Sequence, residues 1–300
     1  MNIQKRTIIK KIGILFLWLF ASIGFVFTGI FIAMQFDLLN VAGAAKERDT
    51  YFRVPESVFK MTHQEEATDI HPLLTSLSWM NSSDWKLLEE VFTRDQAVIT
   101  QAAHDAGIAP RILLGGVIGE QLRFFAGNRE SFKQYFEPLK ILGSLSKFSF
   151  GIAGLKPATV ANIELYLKDT KSPFYLGKDM EHVADYLIPV GQDESTFDFD
   201  TARMARITNA KDPYYSYLYV GLYMREVSKQ WELAGYPVDD RPEILATLYN
   251  LGFNRSLPKP DPQPGGALIT IDGREYTFGQ IAYEFYYSDV LSQLYPRTVQ

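Results

Sequence analysis

The stretch Arg111 to Phe125, RILLGGVIGEQLRFF, sets one carboxylate, Glu120, in an otherwise apolar and glycine-rich run. An unpartnered charge is expensive to bury, so such a group is paired, neutralised or used. Used, it would be a general acid, because apolar surroundings favour a neutral carboxyl that can donate a proton near neutral pH. Unused, it would reach water or pair with a cation such as Arg123, the fate of most helix carboxylates. On a helical wheel Leu113, Leu114, Val117, Ile118, Leu122, Phe124 and Phe125 form one apolar arc with Glu120 at its edge. Gly116 and Gly119 flank Glu120 and are expected to leave space beside it. Gln121 points into the arc and needs a hydrogen-bond partner. Glu130 and Glu137, the candidates for a second carboxylate, read as solvated charges.

Other chemistries find less support. The chain has no cysteine, so it has neither disulfides nor thiolate ligands, and its four histidines, His63, His71, His104 and His182, lack close ligand spacing. No metal and no cofactor are expected. A net charge of −5 over 300 residues, with basic clustering only at the N-terminus, argues against nucleic acid as a partner.

The elements that must position Glu120 can be read from their punctuation. SSDWKLLEEVFTRDQAVITQAAHDAG reads as a helix, capped by Ser83 or Asp84 and closed by Gly107, and Pro110 suits the first turn of the helix that carries Glu120. A glycine-rich loop, Gly143 onward, enters a helix near Pro157. Residues 171–200 form a polar, aromatic insertion of low periodicity. DPYYSYLYVGLYMREVSKQWELAG is helical up to Gly235, and its tyrosines, Tyr214, Tyr215, Tyr217, Tyr219 and Tyr223, cover more than one face, so they are not all expected in the core. RPEILATLYNLG is a helix ending at Gly252, followed by the proline-rich loop LPKPDPQPGG. Two short β runs flank Asp272-Gly273, a hairpin signal, and an amphipathic helix follows from Phe278.

The N-terminus carries Lys5, Arg6, Lys10 and Lys11 before an uncharged run from Ile12 to Phe36, long enough to span a bilayer. We read 1–11 as a cytoplasmic basic tail, 12–36 as a transmembrane signal anchor, 37–82 as a juxtamembrane stalk and 83–300 as the main domain. The positive-inside rule places that domain across the membrane from the basic tail. AGA at Ala42–Ala44 resembles a small-residue cleavage site, although the apolar run is longer than a signal peptide needs.

Three stretches occur in the order found in lytic transglycosylases and goose-type lysozymes of the lysozyme-like superfamily. APRILLGGVIGEQLRFF resembles the family helix, in which a proline and aliphatic run precede the catalytic glutamate. SFGIAGLKPATV, through Gly151, Leu155, Pro157, Ala158 and Thr159, resembles its Gly-Leu-Met-Gln-Leu-Met-Pro-Ala-Thr loop. ILATLYNLGF, through Tyr249, Asn250 and Gly252, resembles its Ala-Ala-Tyr-Asn-Ala-Gly motif. The chain departs from the family at two places: Gln121 stands where serine is usual, and Gly154 where the loop has glutamine.

The resemblance implies a mainly α fold with a minor β part, a lysozyme-like helical domain with a small C-terminal β-hairpin behind one transmembrane helix. It implies cleavage of peptidoglycan glycan strands, with Glu120 as the catalytic acid and base and Gln121, Gly151, Gly154, Tyr249 and Asn250 at the substrate. Tyr276 and Tyr286 are further groove aromatics on this reading. A hydrolytic muramidase and a peptidoglycan-binding or scaffold module that has lost turnover are the alternatives. The implied setting is the bacterial cytoplasmic (inner) membrane, with the domain on the periplasmic or extracellular side and an envelope or secretion machine as an expected further partner.

Overall fold

The computed structural model describes residues 78–126, 153–209 and 211–297, together with Trp18, Ala21, Ser22, Gly24, Phe25 and Thr28 near the N-terminus. Two compact units divide the chain, Met1–Thr50 and Tyr51–Gln300. In the first, the six described residues are helical and exposed. Most of the expected span 12–36, and the stalk up to residue 77, lie outside the described residues. No described helix is long and apolar enough to cross a membrane.

From residue 78 on, the described residues form eight α-helices and one two-stranded sheet, a mainly helical architecture with a minor β part. The helices are α1 (Ser83–Arg94), α2 (Gln96–Ala106), α3 (Pro110–Ala126), α4 (Pro157–Tyr166), α5 (Phe199–Thr208), α6 (Tyr214–Leu233), α7 (Pro242–Leu251) and α8 (Phe278–Tyr287). The strands are β1 (Leu268–Ile271) and β2 (Arg274–Thr277). Local chemistry sets many of the boundaries. Ser82 caps α1, its hydroxyl accepting from Trp85 N at 3.1 Å, and Pro157 and Pro242 occupy first turns, where the missing N–H is not needed. Gly107 closes α2 in the left-handed region.

The hairpin forms where expected. Ile271 faces Arg274 across a two-residue turn in which both Asp272 and Gly273 have positive φ, the hand that matches strand twist.

The segment read as one helix over 83–107 is two. Asp95 breaks it with φ −88° and ψ 10°, and its carboxylate accepts from Arg94 Nε at 2.7 Å and from the Tyr217 hydroxyl at 3.1 Å. The backbone N–H of Asp95 still donates to Val91 O and its carbonyl still accepts from Ile99 N, both at 2.9 Å, so the division is a local change of backbone angle.

Two helices run through the interior. α6 packs against α2, α3, α4, α5 and α7, and α3 packs against α1, α2, α6, α7, α8 and β1. Over Ser216–Met224 α6 is buried on every face and needs no polar one, which is why Tyr217, Tyr219 and Tyr223 are all fully buried despite lying on different faces; the solvent-facing Arg225, Lys229 and Glu232 follow in its second half. Tyr214 and Tyr215 remain half-buried at the start of α6.

Arg111, in the first turn of α3, is fully buried. Its guanidinium donates to the carbonyls of Phe285, Tyr286, Ser288, Val290 and Tyr295 at 2.6–3.0 Å. The carbonyls at the end of α8 and in the following tail thus receive a cation where the helix dipole favours one. Burial lowers the Arg111 pKa to about 10. The same tail is tied to α1 by the Tyr295 hydroxyl, which donates to Phe92 O at 2.6 Å.

The insertion over 171–200 contains two single-turn 3₁₀ helices and is clamped to the helices beneath it. Glu164 of α4 accepts from the hydroxyls of Tyr186 and Tyr219 at 2.5 and 2.7 Å, and from Arg203 of α5 at 2.7 and 3.0 Å. Arg206 lies between the rings of Tyr186 and Tyr215, 3.6 and 4.0 Å from their centres, and donates to the carbonyls of Ala184 and Asp185.

Candidate functional site

Glu120 lies in the C-terminal half of α3 and is 8% exposed. Its Oε2 accepts from Arg123 Nη2 at 2.5 Å, one turn along the same helix. The Arg123 guanidinium also lies 5.4 Å from the centre of the Phe278 ring at the start of α8. Of the three fates open to this carboxylate, the structure shows the first: it is paired.

The glycines beside Glu120 serve packing rather than open space. A Cβ on Gly116 would stand 2.5 Å from Met224 Cε of α6 and 3.4 Å from the Tyr249 ring of α7. One on Gly119 would stand 2.4 Å from the Phe278 ring of α8. These flanks are filled by neighbouring helices, which corrects the expectation of a vacancy there.

The free side of the carboxylate is faced by the loop preceding α4. Gly154 adopts φ +60°, and a Cβ there would come within 2.6 Å of Glu120 Oε2, 3.1 Å of its Cδ and 3.2 Å of its Cβ. Only glycine combines that backbone conformation with so close an approach. Tyr249 secures the loop from below: its hydroxyl donates to Ala153 O at 2.6 Å, and its ring meets Tyr223 edge to face with centres 5.2 Å apart. Tyr223 in turn donates to Leu248 O at 2.9 Å. Burial, and then the nearby Glu120 carboxylate, push the Tyr249 pKa well up, so its hydroxyl remains a hydrogen-bond donor across the physiological range.

Glu120, Gly154 and Tyr249, from three segments far apart in the chain, therefore meet at one place. Asn250 points elsewhere: its Oδ1 accepts from Ala267 N at 2.8 Å and holds the end of the proline-rich loop. Thr247 assists, donating to Glu243 O and accepting from Gly265 N at 2.8 Å. Gln121 is half-buried beside the pair. Gly151, Glu130 and Glu137 lie outside the described residues, as do the side chains of Phe124 and Phe125. Tyr276 and Tyr286 are 7% and 9% exposed within the core, so they do not line an open groove.

Three participants are missing from the family-derived set. The Ala153 carbonyl and the Phe278 ring carry no sequence signal, because a backbone acceptor has no residue type and Phe278 reads as an ordinary apolar helix start. Arg123 does carry one, the i,i+3 spacing of opposite charges.

Glu226 on α6 is a carboxyl that the sequence did not single out. It is fully buried, neither oxygen has a hydrogen-bond partner among the described residues, and burial raises its pKa well above the ordinary glutamate range. Its electrostatic neighbours include Tyr166 and Tyr223. Glu284 of α8 is also buried but satisfied, accepting from Trp79 Nε1 at 2.6 Å and Gln280 Nε2 at 2.8 Å.

His104 and His182 lie on the surface beside Asp105 and Asp185. Among the described residues, no group of three or more potential ligands is arranged to hold a metal ion. No family model, no curated protein and no solved structure matches this chain.

Proposed function

We propose that this chain is a membrane-anchored, lysozyme-like lytic transglycosylase that cuts the β-1,4 bond between N-acetylmuramic acid and N-acetylglucosamine. One observation carries the reading: the three stretches that resemble the family converge, with the Gly154 backbone against the Glu120 carboxyl and Tyr249 holding the loop that carries it. Accidental matches would have no reason to meet.

The chemistry requires one carboxyl. Protonated Glu120 gives its proton to the glycosidic oxygen as the C1–O bond breaks, and the leaving sugar departs as an alcohol. The resulting carboxylate takes the proton of the muramoyl 6-hydroxyl while O6 bonds to C1. This closes a 1,6-anhydro ring and returns Glu120 to its acid form. Gly154 lets the loop backbone lie close to the reacting bond, and Tyr249 acts through the loop as a positioning residue. The long uncharged run after a basic N-terminus supports an exported domain tethered to the bacterial inner membrane, where its glycan substrate lies.

A second reading, a peptidoglycan-binding module without turnover, is favoured by the pairing of Glu120 with Arg123 and by glycine at the loop position where the family has glutamine. Mass spectrometry separates the readings. Sacculi incubated with the wild-type chain are expected to release 1,6-anhydro-muropeptides, and the near-isosteric Glu120→Gln variant is expected to release none. Products heavier by one water would identify a hydrolytic muramidase, and sedimentation with sacculi without any product would identify the binding module.

A further inference from the structure

Apolar side chains left in water gather at one end of α6. Leu233, its last residue, is 63% exposed, and Ala234, Tyr236 and Pro237 beyond it are exposed as well. Leu257, 71% exposed, opens the proline-rich loop. The two segments are joined by side-chain bonds. Gln230 Nε2 donates to Ser256 O at 3.1 Å and Trp231 Nε1 donates to Ser256 Oγ at 2.9 Å, so Leu257 begins beside the last turn of α6. Leu233 lies one turn beyond Gln230. Single exposed apolar residues are ordinary, whereas a cluster of them marks a contact surface. Two exposed cations, Arg255 and Lys259, flank Leu257.

The insertion sits at the other end of the same helix. Arg206 lies between the rings of Tyr186 and Tyr215 there, and Tyr215 precedes Leu233 by 18 residues, about 27 Å of helix. Leu187 in this insertion is 96% exposed, but its setting is acidic. Residues 171–200 carry seven acidic and two basic side chains, a net −5 that equals the charge of the whole chain. Residues 225–261 carry six acidic and five basic side chains, and one of the six, Glu226, is fully buried. The end of α6 at Leu233 can therefore approach an anionic surface without net repulsion, and the end at the insertion cannot.

We propose that the face formed by Leu233, Tyr236 and Leu257 docks on the lipid bilayer, the apolar side chains entering the headgroup boundary while Arg255 and Lys259 meet lipid phosphates. The chain itself argues for this occupant, because the uncharged run Ile12–Phe36 brings a bilayer within reach. Leucine and tyrosine beside cations also suit the interface, where an apolar body is buried and a polar tip stays wet. So small a face binds a bilayer weakly in isolation, but a tether makes the contact intramolecular and a weak contact then suffices. This inference rests on the anchor in the function proposed above and is independent of the reaction. Its consequence is orientation: the acidic insertion is directed away from the bilayer.

The chain has no cysteine, so one introduced cysteine can carry a fluorescent label without competition. Leu233→Cys, Leu257→Cys and, as the control, Leu187→Cys are each labelled with nitrobenzoxadiazole in the full-length protein and reconstituted into vesicles of phosphatidylethanolamine and phosphatidylglycerol. The labels at Leu233 and Leu257 are expected to emit at shorter wavelength than the label at Leu187. They should also lose about half or more of their emission to lipids with a quencher on the acyl chain, as burial at the headgroup boundary requires. The label at Leu187 is expected to keep its aqueous emission and escape quenching. If Leu233→Cys loses its thermal transition, Tyr236→Cys takes its place. Aqueous emission from every label, on protein that floats with the vesicles, overturns the docking and leaves the anchor standing. Quenching at Leu187 as strong as at Leu257 overturns the docking as well. Full-length protein that does not float with the vesicles overturns the anchor, and the docking with it.

Discussion

At the scale of single residues, the site is governed by what may approach one carboxyl. Gly154 is the sharpest case, since any Cβ would stand 2.6 Å from Glu120 Oε2 and would occupy a left-handed backbone. Gly154→Ala is therefore expected to reduce product release from sacculi at least tenfold, with a stability loss of about 1–2 kcal/mol from backbone strain alone. Paired turnover and urea-unfolding measurements check this, and full activity in the variant would mean that the loop does not stand against Glu120 during reaction. Glu226 makes a different demand. Burial raises its pKa, so the native chain holds a proton that the unfolded chain releases; stability is fullest below the ordinary glutamate range and falls as pH rises through and above it. Glu226→Gln keeps the shape without the ionisation. Its Tm should match the wild type near pH 4 and exceed it by about 4 °C or more at pH 8, the scale of one to two kcal/mol in a domain of this size. Melting curves that stay parallel from pH 4 to 8 would place Glu226 in contact with water.

At the scale of elements, α3 is held at both ends by different physics. Its middle is wedged among α6, α7 and α8 through Gly116 and Gly119, and its first turn is fixed by Arg111 to the carbonyls that end α8. Arg111→Met preserves much of the side-chain volume but leaves several buried carbonyls without a donor, each costing about 1–3 kcal/mol if no water reaches it. A loss of about 3 kcal/mol or more in urea unfolding is expected; a loss below 1 kcal/mol would show that water or a neighbouring donor replaces the guanidinium. The elements also show how far local sequence reaches. Pro157, Pro242 and Gly252 mark helix boundaries, and Asp272-Gly273 marks the hairpin, because each acts on backbone angles within a few residues. The division at Asp95 was not legible, since no glycine or proline marks it, and the Tyr217 hydroxyl that meets its carboxylate comes from 122 residues away. The roles of Gly116 and Gly119 were likewise hidden: a wheel shows which face a glycine occupies, not which helix comes to fill it.

At the scale of the whole molecule, the proposed enzyme is a helical domain tethered through its N-terminus. Full-length protein is expected to stay with membranes through an alkaline carbonate wash, and a chain beginning at residue 51 to appear in the soluble fraction; release of the full-length chain by carbonate would refute the anchor. The sequence by itself determined the helical character, the hairpin and the isolation of Glu120 among apolar residues, because propensities, caps and periodicity act over a few residues along the chain. It also supplied the spacing that allows Arg123 to reach Glu120. Only the tertiary structure decided that this pair forms beneath Gly154, that Tyr249 spends its hydroxyl on Ala153 while Asn250 turns to Ala267, that Arg111 gathers the carbonyls at the end of α8, and that Glu226 lies buried with no hydrogen-bond partner among the described residues. Each of these depends on which surfaces meet between segments distant in sequence, and burial and partner choice are properties of that meeting rather than of any local pattern.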